Sequence, residues 1–417
     1  MYLLGIDIGT TGCKAAVFDL KGNALAYAYR EYPVIYPESG WMELDPRVVE
    51  RSVYQCIYQC TGACNASCIT ALSVSTQGEA IIPVGADGNP LYNSIITFDS
   101  RNEKECEWFA ERLGKETVMH ITGAPVHTMF SITKILWFKR HLPEIFNKTW
   151  KFMCFGDYIS FKLGALPAMD YSMASRTLAF DIREKNWSDR ILTVCGIERG
   201  KLPEAAPGGT VIGRVGRPAS EALGIPEGVK IIAGGHDQVC CSLGAGVLES
   251  GKAMDSLGTT ESILCVNKEA VITPEMIEMN LPCYIYPVNG LYAYLTFLSS
   301  CGSVLKWFVC NILGNSSNEY SKMDKAAEEK CGEPSGLFVL PYFAGSGTPY
   351  LDNSSKGIIA GLSLDTDKHR IYRAILESTC MEAALNMENM ESCGIRIDEL
   401  RCIGGGSKSD LWLQIKA

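Results

Sequence analysis

A chain of 417 residues is too long for one ordinary hydrophobic core, so two domains of about 200 residues each are expected. Hydrophobic residues make up 47% and charged residues 20%, as in a globular protein, and no apolar run approaches the roughly 20 residues that span a bilayer, which argues against a membrane protein. The net charge of −9 comes without a basic tail or stripe, which argues against nucleic acid as the main partner.

The elements read in chain order as follows. Residues 3–7 form a short apolar strand, residues 9–12 a turn, and residues 14–19 a second strand; a turn at Leu20-Lys21-Gly22-Asn23 leads to a third strand over residues 24–30, so the chain opens on an antiparallel meander. Asp45-Pro46 starts a helix, with Asp at the N-cap and Pro at the first helical position. Residues 69–76 are a β-branched apolar strand. A largely helical stretch follows, including residues 131–141 and 158–163, with a last strand of this half near residues 150–155. Strands alternating with helices predict an α/β fold. The segment 201–228 is rich in Pro and Gly and marks the boundary between a domain over residues 1–228 and one over residues 229–417, the second opening on a buried strand at 230–233.

No signal peptide precedes the first strand, so a cytoplasmic chain with reduced thiols is expected. Of its eighteen cysteines, Cys56, Cys60, Cys64 and Cys68 recur every four residues. Gly62 and Asn65 break that helix midway, and zinc sites usually begin with a closer C-x-x-C, so the role of the series stays open.

The most informative pattern is an internal repeat. The first domain opens with a strand, Gly9-Thr10-Thr11 and a strand; residues 252–257 lead into Gly258-Thr259-Thr260 and a strand over residues 262–266. The expected architecture is a duplicated α/β fold with two meanders facing each other across a cleft. Glycine lets the backbone approach a phosphate, the turn's N–H groups form an anion nest, and threonine hydroxyls donate further bonds. Asp7, at the end of the first strand, stands where a carboxylate would hold a metal beside those phosphates. The segment Gly246 to Ala253 comes one residue short of a P-loop, with Ala253 in place of the metal-binding Ser or Thr and a strand following, so it is read as a turn.

Five motifs in order give a specific resemblance. Asp7-Ile8-Gly9-Thr10-Thr11 with Lys14, the segment 129–138, Gly234-Gly235-His236-Asp237-Gln238, the segment 356–377 and Gly404-Gly405-Gly406-Ser407-Lys408-Ser409 resemble the FGGY family of carbohydrate kinases, within the actin-like ATPase superfamily. Arg370 departs from the family's usual His, acid or amide. The resemblance implies two actin-like (ribonuclease H-like) domains and ATP-dependent phosphorylation of a small sugar or polyol with Mg2+. It implies that Asp237 is the general base, Gln238 a sugar neighbour and Asp7 the metal carboxylate. It also implies that Thr10, Thr11, Lys14, Gly258, Thr259 and Thr260 contact phosphate, and that Gly302, Gly405 and Gly406 line the adenosine pocket.

Gln77, Glu79, Asp99 and Arg101 fall where the family places sugar contacts. Xylulose kinases usually carry Met-His, and glycerol kinases Arg-Glu, at the positions of Gly78 and Glu79; this chain matches neither in full. The segment 121–129 resembles gluconate kinases as much as xylulose kinases. The favoured substrate is a ketopentose such as xylulose, with gluconate, another ketose or a polyol as alternatives, and a catalytically silent sugar sensor or a non-sugar actin-like ATPase as rivals of another class. ATP and ADP are the other expected partners, and a homodimer is possible. By analogy with the first half, the second half lacks a final strand and helix after Ser409. The chain is therefore expected to be cut short of a complete second domain, and to be less stable and less active than a longer version.

Overall fold

The structure, a computed structural model, describes residues 1–316, 319–330, 334–352 and 354–417. Packing divides the chain into a first unit, Met1–Cys240 with Tyr284–Leu291, and a second, Cys241–Cys283 with Tyr292–Ala417.

The first unit opens on β1 (Tyr2–Ile8), β2 (Gly12–Asp19) and β3 (Ala24–Glu31), an antiparallel meander as expected. Alternate residues point inward, so Leu4, Ile6 and Ile8 on β1 and Cys13, Ala15 and Val17 on β2 are all buried. Helix α1 (Pro46–Gly62) begins where the Asp45 carboxylate accepts from the Arg47 backbone N–H and Pro46 takes the first helical position. Val49, Val53, Cys56, Ile57 and Cys60 form its buried stripe against β2 and β3. Cys56 and Cys60 thus serve as core residues, with Cys56 Sγ 3.8 Å from Cys13 Sγ and Cys60 Sγ donating to the Ala15 carbonyl at 3.3 Å. Cys64 and Cys68 lie beyond the helix end.

Strand β4 (Ile69–Thr76) pairs parallel with β1. The strand expected near residues 150–155 exists, but it pairs with β5 (Ile82–Gly85) as β6 (Thr149–Met153), outside the main sheet. Helices α2 (Ser131–His141), α3 (Phe155–Leu163) and α4 (Tyr171–Ser175) surround these strands in the chain. Strands β7 (Val211–Arg214) and β8 (Lys230–His236) complete a six-stranded sheet of order β7-β8-β4-β1-β2-β3. β8, expected to open the second half, runs parallel to β4 in this sheet, because its partner is a distant strand that local pattern does not encode. At Gly234 a side chain would sit 2.0 Å from the Val74 carbonyl oxygen, and the β8–β4 register shifts between Ile232 and Gly235. Helix α5 (Asp237–Gly244) follows β8 directly.

The second unit repeats the pairing scheme. Strands β9 (Gly251–Leu257), β10 (Glu261–Asn267) and β11 (Tyr292–Leu298) form an antiparallel meander. Helix α6 (Gly302–Lys306) comes next, and α7 (Lys368–Ser392) starts where the Asp367 carboxylate accepts from the His369 and Arg370 backbone N–H groups. Strand β12 (Ile397–Ile403) pairs parallel with β9, as β4 does with β1. Helix α8 (Asp410–Lys416) is capped by Ser409 and buries Leu411 and Trp412 in the core with Tyr372, Ile375 and Leu376 of α7. Among the described residues, no helix is long and apolar enough to cross a membrane.

Candidate active site

Three parallel strands of the first unit, β1, β4 and β8, end on the same edge, and their carboxyl ends deliver Asp7, Gln77 to Glu79, and His236 with Asp237. The carboxyl edge of parallel strands is where open α/β sheets collect ligands.

Asp7 keeps 40% of its side chain exposed. Its Oδ1 accepts from Ser75 Oγ at 3.2 Å, and its Oδ2 lies 3.5 Å from Lys14 Nζ, directly across the β1–β2 ladder. The turn after β1 is braced from below. Gly9 N donates to the Gly12 carbonyl at 2.9 Å, and the Tyr32 hydroxyl donates to the carbonyls of Gly9 and Gly12 at 2.6 and 3.0 Å. Gln77 is engaged by the same turn: its Oε1 accepts from Thr10 Oγ1 at 2.9 Å and its Nε2 donates to the Gly9 carbonyl at 3.2 Å. Thr11 is exposed at the tip.

Glu79 is buried and holds a φ of +59°, a backbone state uncommon for a residue with a side chain. Its carboxylate is ion-paired with Arg176 Nε and Nη2 and accepts from Thr97 Oγ1 at 3.0 Å. Its carbonyl accepts from Ser131 Oγ and Lys134 Nζ, each at 3.3 Å. Burial pushes the Lys134 ammonium down to about 8, against the pull of Glu79.

His236 and Asp237 stand at the β8–α5 junction, with His236 Nε2 3.2 Å from Asp237 Oδ1 and the Gln238 backbone N–H donating to the same oxygen at 2.6 Å. The Asp237 side chain is 31% exposed. Desolvation, reinforced by the Asp7 carboxylate, raises its carboxyl to about 7, against the lowering effects of the Gln238 N–H and Arg176. Burial, with Arg176 nearby, holds His236 well below the ordinary histidine value, so it is neutral.

Asp99 and Arg101, both expected as sugar contacts, are paired with each other. Both Asp99 oxygens already accept, Oδ1 from Arg101 N and Nε and Oδ2 from Met42 N and Arg101 Nη2. Arg101 Nη1 donates to Glu43 Oε1 at 2.7 Å, its guanidinium lies 3.9 Å from the Trp41 ring centre, and its side chain has no exposed surface.

In the second unit, Gly258-Thr259-Thr260 is the turn between β9 and β10, with both threonines exposed. It is locked to the start of α6: Gly302 N donates to the Gly258 carbonyl at 3.0 Å, and Ser303 N and Oγ donate to the Thr259 carbonyl at 3.1 and 2.9 Å. A side chain at Gly302 would lie 2.5 Å from the Gly258 carbonyl oxygen. The turn at Gly404-Gly405-Gly406 packs on Leu257, immediately before Gly258, so the expected nucleotide residues of this unit come together at one end of β9. Beneath them lies a group the sequence did not reveal. Lys416 Nζ is 2.6 Å from Asp255 Oδ2 and is ion-paired with Glu261, and all three side chains are 5% exposed or less.

Residues 2–244 match the N-terminal domain of the FGGY family of carbohydrate kinases, and residues 253–417 match its C-terminal domain. The chain belongs to the FGGY family of carbohydrate kinases. It is similar to a xylulose kinase of Staphylococcus xylosus, 27% identical over 416 residues that cover 100% of this chain and 85% of the relative. Among solved structures it is similar to a xylulose kinase of Brucella ovis, with a TM-score of 0.91, 26% identity, and coverage of 100% of this chain and 84% of the other. It is also similar to a gluconate kinase of Lactobacillus acidophilus, with a TM-score of 0.90, 26% identity, and coverage of 100% and 83%. As an FGGY kinase the chain is an enzyme, a phosphotransferase that phosphorylates a sugar at the expense of ATP. Within this FGGY chain the motif reading did not single out Arg176, which meets Glu79 from 97 residues away, and it took in Lys134 within the segment 129–138 without assigning it a contact.

Proposed function

We propose that the chain transfers the γ-phosphoryl group of ATP to a hydroxyl of a ketopentose such as xylulose, with Asp237 as the general base. The observation that carries this reading is a partly exposed carboxylate, raised to about 7, at the carboxyl end of a parallel strand beside the Asp7 turn. A carboxylate within hydrogen-bond reach takes the acceptor proton as the new P–O bond forms, and a value near neutral suits that exchange. His236 and the Gln238 N–H hold the Asp237 carboxylate in place. Thr10, Thr11, Lys14, Gly258, Thr259 and Thr260 receive phosphate oxygens, Gly302, Gly405 and Gly406 admit the adenosine, and Glu79 and Gln238 meet the sugar.

Asp7 suits Mg2+: it is an exposed carboxylate with a single hydroxyl donor and a loosely paired lysine, and magnesium keeps several waters and takes one or two carboxylates beside phosphate oxygens. Bound there, the ion would neutralise charge on the transferred phosphoryl group. Gluconate, another ketose or a polyol is the alternative acceptor, in keeping with the gluconate kinase neighbour. Asp237→Asn should fold and bind nucleotide normally while turnover falls roughly 10²–10⁴-fold. Near-normal turnover in the folded variant would remove Asp237 from the role of base.

A further inference from the structure

Gly78 lies between β4 and Glu79. A side chain there would meet Arg176 Nε at 2.8 Å and His236 Cδ2 and Nε2 at 3.0 and 3.1 Å. The volume that residue 78 leaves empty is therefore filled by an arginine and a histidine from distant segments. Arg176 caps the end of α4, is 5% exposed, and lies 4.8 Å from the Tyr284 ring centre and 5.8 Å from that of Phe130. Two of its nitrogens are spent on Glu79, while Nη1 is buried without a hydrogen-bond partner. His236 Nδ1 and Gln238 Oε1, in the two residues that flank Asp237, are in the same condition among the described residues. Buried polar atoms are rarely left unpaired, and a ligand that pairs them gains what the empty site forgoes.

We propose that Arg176 is a specificity-determining residue of the acceptor pocket, seated in the space that Gly78 vacates, and that the pocket it completes takes a neutral polyhydroxy sugar in preference to a sugar acid. The inference rests on the kinase reading above and names the acceptor class of that same site. The three idle atoms are one donor and two acceptors. Arg176 Nη1 can only donate. His236 is neutral, and with its proton on Nε2 toward Asp237, Nδ1 is an acceptor; Gln238 Oε1 is an acceptor as well. Sugar hydroxyls both donate and accept, so they suit donor and acceptor atoms alike. A sugar acid offers hydroxyls too, but its carboxylate, placed on Arg176, would lie beside the carboxylate that Arg176 already neutralises, Glu79, and near Asp237. The Asp237 side chain, 3.2 Å from His236 Nε2, is partly exposed, so an acceptor can reach its carboxylate.

The test is steady-state kinetics of the full chain with ATP and xylulose, ribulose, xylitol, glycerol or gluconate. The best neutral acceptor should exceed gluconate in kcat/KM by at least about 100-fold. Arg176→Met, and Gly78→Ala by crowding the guanidinium out, should each raise the acceptor KM about tenfold or more while the KM for ATP stays within about twofold. Because Arg176→Met alone strands a buried Glu79, Arg176→Lys, which keeps a cation beside Glu79, serves as the folded control, and it should keep the raised acceptor KM. Gluconate as the best acceptor would overturn the assignment and leave the kinase reading standing. An acceptor KM restored by Arg176→Lys would reduce Arg176 to neutralising Glu79. No turnover on any acceptor, in a chain that still binds ATP, would remove the kinase reading and this inference with it.

Discussion

Asp237, the proposed general base, has surroundings that work against its own charge. Desolvation raises its carboxyl to about 7, with Asp7 adding to the effect. Only the ionised form accepts a proton, so activity should be present above that value and be lost as pH falls through it. Carboxyl-carbon NMR shifts of the metal-free chain should show Asp237 titrating near pH 7, and kcat/KM measured with ATP and Mg2+ should fall toward acid; an NMR inflection at the ordinary carboxylate value of about 4 would contradict the burial argument. Asp7, Glu79 and Asp237 were all legible in the sequence, because each sits at the end of a strand inside a short motif. Their partners were not. Gly78 could be seen to lack a guanidinium, but nothing in the residues around Arg176 says that it fills that space, since the contact is made by the tertiary fold. Gln77, Asp99 and Arg101, expected as sugar contacts, show the same: the Gly9-Thr10 turn engages the first and an ion pair joins the other two, contacts that no local pattern announces.

The second unit depends on how α8 is held. Its Lys416 neutralises Asp255 and Glu261, two carboxylates that are almost wholly buried on neighbouring strands. Lys416→Met would leave them facing each other, and breaking a buried ion pair costs about 3–5 kcal/mol. Chemical denaturation should show a loss of that order, together with weaker nucleotide binding at the adjoining turns; unchanged stability would mean that the carboxylates shed their charge by taking up protons instead. Elements whose partners are close in sequence were the legible ones. Both meanders follow from alternation around Gly-Thr-Thr, and α1 from Asp45-Pro46 and its apolar stripe. The strand at Thr149–Met153 was recognised without a partner, and that at Lys230–His236 was placed in the second half although it pairs in the first, because an apolar run specifies extended backbone and not the strand it will pair with.

At the scale of the molecule, the duplication read from two tripeptides is a duplication of strand pairing. In each unit a first strand pairs antiparallel with the second and parallel with a strand that arrives much later in the chain. One unit presents carboxylates at its strand ends, and the other presents a glycine-rich set of turns. The central claim is that ATP turnover by this chain needs a sugar. The direct measurement is ADP release by the full chain with ATP and Mg2+, first alone and then with each acceptor of the panel. Release should be negligible without an acceptor, strongly stimulated by a neutral sugar such as xylulose, and no longer stimulated in Asp237→Asn. Release at the same rate with and without every acceptor would contradict that claim.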